Sequence, residues 1–299
     1  VAWNIEGRTV VVTGANSGIG LATATGLARR GAAVTLAVRD PDRGRAAADR
    51  IAGTTGTRPS VMTIDLSSFD SVRSFVDRIR ARHERVDVLI NNAGVFMGSR
   101  RTTTDGHEWT MAVNHLGPFL LTCRLAADPR TLPERVITVA SALHSGAKRD
   151  PAFDSLEAAG RYRAIRTYAR SKLANVLFVR ELARRLAPSG SAAFAAHPGM
   201  VATRITRDGD SRAAALVWRA SSRWMRTPEQ GAATSVYLAT EPGIESLSGS
   251  YFVDRRPVEP DIRGRDDTAA SRLWDLSARA TDCTIRSPHP ADGGTVPER

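Results

Sequence analysis

Tyr168 and Lys172 stand four positions apart in the run Tyr168-Ala169-Arg170-Ser171-Lys172. That spacing puts both side chains on one face of a helix. A phenol with its usual pKa near 10 is a poor base at neutral pH. An ammonium held beside it favours the phenolate and brings the group toward the working range of a proton-transfer residue. The same spacing arises by chance in many helices, so the pair needs a second site to serve. Lys172 is one of only two lysines, with Lys148, in a chain that otherwise uses arginine. An arginine at 172 would be charged but could not shed a proton.

The second site is near the N-terminus. Thr13-Gly14-Ala15-Asn16-Ser17-Gly18-Ile19-Gly20 carries glycines in a G-x3-G-x-G pattern, directly after an apolar β-branched run and before a helical pattern. Glycines at 14, 18 and 20 let the backbone turn tightly and approach a pyrophosphate. The helix that follows offers free N–H groups and the positive end of its dipole, around Asn16, Ser17 and Ile19. The end of the second strand chooses the dinucleotide. A carboxylate there would accept from a ribose diol; the chain has Val38 and then Arg39, whose guanidinium suits a 2′-phosphate. Asp40 is expected to turn outward as the N-cap of the next helix, ahead of Pro41. NADP(H) is therefore the expected cofactor, with Asp65 and Leu66 bounding the adenine. Asp65 read as a helix cap is the alternative. An oxidised nicotinamide near Tyr168 would add a second positive charge favouring the phenolate.

These residues need a frame, and the hydrophobic pattern supplies one. Strands are expected at 9–12, 34–38, 60–64, 86–90, 135–140, 192–196 and 249–252. Helices are expected at 18–30, 41–52, 68–84, 104–125, 166–186 and 228–239. Strict alternation implies an α/β fold: a single doubly wound Rossmann-type domain over 1–285, with a parallel seven-stranded sheet and helices on both faces. A lid is expected at about 200–226, and a disordered tail at 286–299.

Composition excludes several other classes. The 299 residues are 42% hydrophobic, enough for a sizeable core, and the net charge is +11. The basic charge is spread in short arginine pairs such as Arg29-Arg30, Arg100-Arg101 and Arg184-Arg185, so a solvated surface is expected and no nucleic-acid partner. Two cysteines, Cys123 and Cys283, make neither a disulfide framework nor a zinc site, and no metal is expected. The N-terminus lacks a secretion pattern, and no apolar run approaches the ~18 residues of a membrane span. A cytoplasmic chain is the expectation.

With these motifs in order, the sequence resembles the short-chain dehydrogenase/reductases. The resemblance runs from about Gly7 to Cys283. It adds Asn91-Asn92-Ala93-Gly94 after the fourth strand, Asn114 in a helix, Ser141 after the fifth strand, and His197-Pro198-Gly199-Met200-Val201-Ala202-Thr203 after the sixth. Val113-Asn114-His115-Leu116-Gly117-Pro118-Phe119 and Thr227-Pro228-Glu229-Gln230-Gly231-Ala232 are similar to the retinol-dehydrogenase-like and WW-domain-oxidoreductase-like branch. The resemblance implies roles. Ser141 would donate to the substrate oxygen, and Tyr168 would pass the proton. Lys172 would bind the nicotinamide ribose, and Asn114 would hold a water linking Lys172 to solvent. Asn91, Ala93 and Gly94 would line the cofactor, and Pro198, Gly199, Val201 and Thr203 would meet its nicotinamide end. His144 and His197 are read as structural neighbours of these motifs.

Some positions depart from the branch. Ala140 stands where a first serine is usual, Val38 for a cysteine, and Ala169-Arg170 for a small residue and a glutamine. Arg170 is read as facing solvent, with the active-site mouth as the alternative. The broken pattern at 126–133 weighs against a helix-mediated dimer and leaves a homo-oligomer open. The implied substrate is a moderately apolar small molecule with one carbonyl or alcohol, selected by 95–107, 145–167 and the lid. Two other readings stay open: reduction of a conjugated C=C bond by the same tyrosine, and an NADP(H)-binding sensor or scaffold without turnover.

Overall fold

The computed structural model describes residues 3–83, 85–147, 153, 155–156, 161–201 and 225–285. The expected lid between 202 and 224, Thr203 within it, and the expected tail at 286–299 lie outside the described residues. Eight strands form one sheet: β1 (Thr9–Thr13), β2 (Ala33–Val38), β3 (Ser60–Thr63), β4 (Val88–Asn91), β5 (Arg135–Val139), β6 (Ala192–His197), β7 (Tyr251–Val253) and β8 (Arg256–Val258). Their order is β3-β2-β1-β4-β5-β6-β7-β8. Every pairing from β3 through β7 is parallel. The chain reverses direction across the sheet between β1 and β4, which is the crevice where doubly wound folds bind ligands.

The eighth strand corrects the expected seven. β8 pairs antiparallel with β7, and its three residues are exposed with proline at the centre. Neither alternation nor apolar content marks such a strand. Asp254 and Arg255 between them both take left-handed backbone, φ 51° and 65°. A two-residue hairpin demands that conformation, but it usually recruits Asn or Gly for it.

Strand residues are β-branched and apolar because both faces of the sheet are covered. On β1, Val11 belongs to one core and Val10 and Val12 to the other, the two-residue alternation of a strand. The core around Val10 and Val12 is closed by α1 (Gly18–Ala28), α2 (Pro41–Thr55) and α7 (Pro228–Thr240). The core around Val11 is closed by α3 (Phe69–Arg82), α5 (Gly117–Ala126), α6 (Ala164–Leu186) and α8 (Asp267–Thr281). Helix α8 was not expected. Its Trp274 is buried against Phe119 of α5 and Phe178 of α6, with ring centroids 4.8 and 6.0 Å away. No helix among the described residues is long and apolar enough to cross a membrane.

The single helix expected over 104–125 is also corrected. Thr102 and Glu108 form an isolated antiparallel bridge. Helix starts only at α4 (Trp109–Met111), where the Glu108 carboxylate accepts from Thr110 N and Met111 N at 2.9 and 2.8 Å. A π turn over Ala112–Leu116 then leads into α5. Pro118 has no N–H to give the carbonyl of residue 114, so the regular i→i−4 ladder cannot run through. Gly117 N donates instead to Ala112 O, five residues back.

Candidate active site

Parallel strands bring their C-terminal ends to one edge of the sheet. The turn after β1, the Asn-Asn-Ala-Gly run after β4, Ser141 after β5 and Pro198-Gly199 after β6 therefore line up along that edge. A cleft of about 570 Å³ opens there, lined by Gly14, Asn16, Ser17, Gly18, Ile19, Gly20, Arg39, Asp65, Leu66, Ala93 and Gly94 among others. Two glycines are required by close approach. Gly14 has φ +66°, and a Cβ on it would lie 2.9 Å from Ala93 Cα; a Cβ on Gly20 would collide with Asn92 Nδ2 and Gly14 O. Ser17 makes no side-chain cap, so the first N–H groups of α1 are left for an anion.

The far wall bears on cofactor choice. Asp40 is the N-cap of α2, accepting from Asp42 N and Arg43 N at 3.0 and 3.1 Å. Its carboxylate is thus engaged, as expected. Arg39 is exposed, and Arg43, which the sequence reading did not single out, joins it in lining the cleft. Asp65 both borders the cleft and caps a local turn, accepting from Ser67 N and Oγ at 2.9 and 2.7 Å.

The Asn-Asn-Ala-Gly run is placed differently from the expectation for Asn91. Asn91 is buried, donates to Thr122 Oγ1 at 3.0 Å, and does not line the cleft. Asn92 lines it instead and donates to Thr13 O at 2.8 Å, while Thr13 Oγ1 accepts from Asn92 N and Ala93 N at 3.0 Å. Neighbouring residues at a strand end face opposite ways, and the chosen face depends on where β4 ends.

Tyr168 and Lys172 share a face of α6, with Lys172 Nζ 5.7 Å from the Tyr168 ring centre. Phe96 flanks the same ring at 5.7 Å. Lys172 is buried, donates to Val139 O at 2.9 Å, and approaches Gly94. Burial lowers its pKa to about 8 and raises that of Tyr168 to about 12. Both shifts come from loss of water around the charged form; for Tyr168 the direction is opposite to the lowering expected from the ammonium beside it. Ser141 is the N-cap of the 3-10 turn Ala142–Gly146, where its Oγ accepts from Leu143 N at 3.2 Å.

Asn114 is fully buried, and both amide N–H donors are engaged, to Val95 O and Ser171 Oγ at 3.0 Å each. Its Oδ1 accepts from Val95 N at 2.7 Å. The amide anchors the cleft wall to α6. Arg170 is a correction as well. It faces neither solvent nor the mouth: it is 2% exposed, lies 4.5 Å over the Phe153 ring, and donates to Ser155 O and Leu156 O. Val201 packs on Gly231, beside the cleft rather than in its lining. Burial, first of all, lowers the pKa of His197.

A nucleotide crevice at the switch point, beside a buried amine and a half-buried phenol, defines a dinucleotide-binding protein built for redox chemistry. Comparison agrees. A family model described as "Enoyl-(Acyl carrier protein) reductase" matches residues 14–245. Retinol dehydrogenase 12 of Mus musculus is 44% identical over 275 residues, 91% of this chain and 86% of that protein. The solved structure of an uncharacterised protein from Mycobacterium paratuberculosis aligns with a TM-score of 0.76 at 36% identity, covering 95% of this chain and 97% of that one. A Beutenbergia cavernae structure titled as an NAD(P)-dependent gluconate 5-dehydrogenase with bound NADP aligns with a TM-score of 0.62 at 30% identity, covering 84% and 96%. The chain belongs to the short-chain dehydrogenase/reductase family, in its retinol-dehydrogenase-like branch, and is an oxidoreductase of that family acting on a small molecule with a nicotinamide cofactor.

Proposed function

We propose that the chain exchanges a hydride between NADP(H) and a carbonyl or secondary alcohol, with Tyr168 as the group that gives or takes the proton. The observation that carries this reading is the burial of the Lys172 ammonium beside the Tyr168 ring. The cofactor supplies or accepts the hydride. The glycine turn and the open N-terminus of α1 hold its pyrophosphate. Arg39 and Arg43, which line the cleft, hold the 2′-phosphate, while Asp40 is held to α2 through its Oδ1. Leu66 and Asp65 border the adenine end, and Gly94 and Pro198-Gly199 the nicotinamide end. Ser141 has its hydroxyl oxygen occupied by Leu143 N, which leaves its O–H to donate to a substrate oxygen as charge builds there. Lys172 favours the phenolate of Tyr168 and reaches the ribose.

A panel of carbonyls and alcohols, followed at the nicotinamide absorbance with each cofactor, tests the proposal. NADPH-dependent turnover is expected, with Tyr168→Phe abolishing it while NADPH still binds. Full activity in that variant would remove the assigned role. The description of the matching family model favours one second reading, reduction of a conjugated C=C bond; product NMR separates the two.

A further inference from the structure

His144 sits three residues after Ser141, and the proposed reaction gives it no part. It is 4% exposed, and both ring nitrogens have partners. Nδ1 lies 2.7 Å from Ser141 O, and Nε2 lies 3.1 Å from Asp261 N. A carbonyl oxygen can only accept and an amide N–H can only donate. Nδ1 therefore carries the proton and Nε2 the lone pair, a tautomer set by its partners. The ring meets Tyr251 in a T-shaped contact at 5.1 Å, and Tyr251 in turn stacks on His197 at 6.2 Å.

The link to Asp261 is not isolated. The Asp261 carboxylate accepts from Arg263 N and Nε at 3.2 and 2.6 Å, and Arg263 donates to Ser145 O at 2.7 Å. The 3-10 turn that follows Ser141 is thus tied twice to residues 261–263, which lie 117 positions or more along the chain from their partners. The Ser141 carbonyl receives both the backbone N–H of His144, at 3.1 Å, and its Nδ1–H. The same turn presents Leu143 N to Ser141 Oγ. Any shift of the turn moves the amide that orients the hydroxyl.

We infer that His144 is a positioning residue: in its Nδ1–H form it couples the backbone at Asp261 to the Ser141 carbonyl, and so holds the Ser141 hydroxyl toward the substrate oxygen. The inference rests on the role proposed for Ser141. Displacing a donor by about 1 Å costs on the order of 100-fold in rate. Such a residue acts on kcat rather than on cofactor affinity, and only while Ser141 is present.

The test is a double-mutant cycle on the full chain. His144→Phe keeps the ring against Tyr251 and removes both hydrogen bonds. With NADPH and a carbonyl turned over by the wild type, it is expected to lower kcat about 10- to 100-fold, with KM and NADPH affinity unchanged. On a Ser141→Ala background the same substitution should have almost no further effect. His144→Asn, which restores a donor near Nδ1, should recover part of the loss. A long-range ¹⁵N–¹H spectrum of the wild type should show the proton on Nδ1. Equal losses on both backgrounds, a change confined to KM, or a proton on Nε2 each overturn the inference. If His144→Phe does not fold, the asparagine variant and the spectrum decide. A wild type that turns over no member of the panel overturns instead the reading of the site, and this inference with it.

Discussion

At the scale of single residues, the site's chemistry is governed by burial. Lys172 has its pKa lowered to about 8. For a cationic group that means the folded state binds fewer protons than the unfolded chain between pH 8 and 10.5, so stability rises with pH across that window. Below pH 8 the buried ammonium costs about 3 kcal/mol by the same linkage. The stability advantage of Lys172→Met over the wild type, followed by urea unfolding, should therefore shrink as pH rises from 7 to 10.5. In the reduction direction Tyr168, raised to about 12, stays protonated throughout. kcat/KM should then be level up to about pH 8 and fall above it as Lys172 loses its charge. A profile flat to pH 10 would show that the Lys172 charge does not matter. The two guanidiniums, Arg39 just after β2 and Arg43 in the first turn of α2, are tested separately. Replacing either Arg39 or Arg43 by alanine should weaken NADPH about 10- to 100-fold, one charge-assisted bond being worth roughly 1.5–3 kcal/mol. NADH should be almost unaffected in the same fluorescence titration.

At the scale of elements, the sequence makes some things plain and hides others for definite reasons. The glycine turn, the Tyr/Lys pair and the cap at Asp40 are legible because local spacing alone determines them. Asn91 and Asn92 exchange places because the facing of a strand end depends on the residue at which the strand stops. Helix α8 does show spaced apolar residues in the sequence. Ala269, Ala270, Leu273, Trp274 and Ser277 are the face it buries, so here the signal was present and unused. Arg170 is different. Its partners are carbonyls on a loop some 15 residues away, and no local pattern announces a buried arginine. Its guanidinium ties residues 155 and 156 to α6, two positions from Tyr168. Arg170→Met should keep the aliphatic packing and leave those carbonyls without this donor. A loss of about 2 kcal/mol in urea unfolding is expected, with a raised substrate KM. An unchanged midpoint would mean the clamp contributes nothing net.

At the scale of the molecule, the late elements close the surfaces through which a doubly wound domain could pair with a second copy. One such surface is the outer face of α5 and α6. On it Phe119 and Phe178 are fully or nearly fully buried within the chain itself, because α8 lays Trp274 across them. Arg180 of α6 fixes the start of α8 through Asp267, with Nε at 2.6 Å and a second nitrogen at 3.1 Å. The other surface is the edge of the sheet. Strand β7 would offer its free backbone to a neighbour, but β8 covers it, and Pro257 at the centre of β8 has no N–H to extend the ladder. The large apolar residues left exposed among those described are Leu143, Ile165, Met200, Leu247, Val258 and Ile262. None of them lies on α5, and α6 contributes only Ile165, in its first turn. The sequence left a homo-oligomer open; this arrangement argues for a single chain. Sedimentation at micromolar concentration should give the mass of one chain. Trp274→Ala, which uncovers Phe119 and Phe178 and costs about 3–5 kcal/mol, should be the variant that self-associates. A wild type that sediments as a dimer would mean that these two closures do not decide assembly.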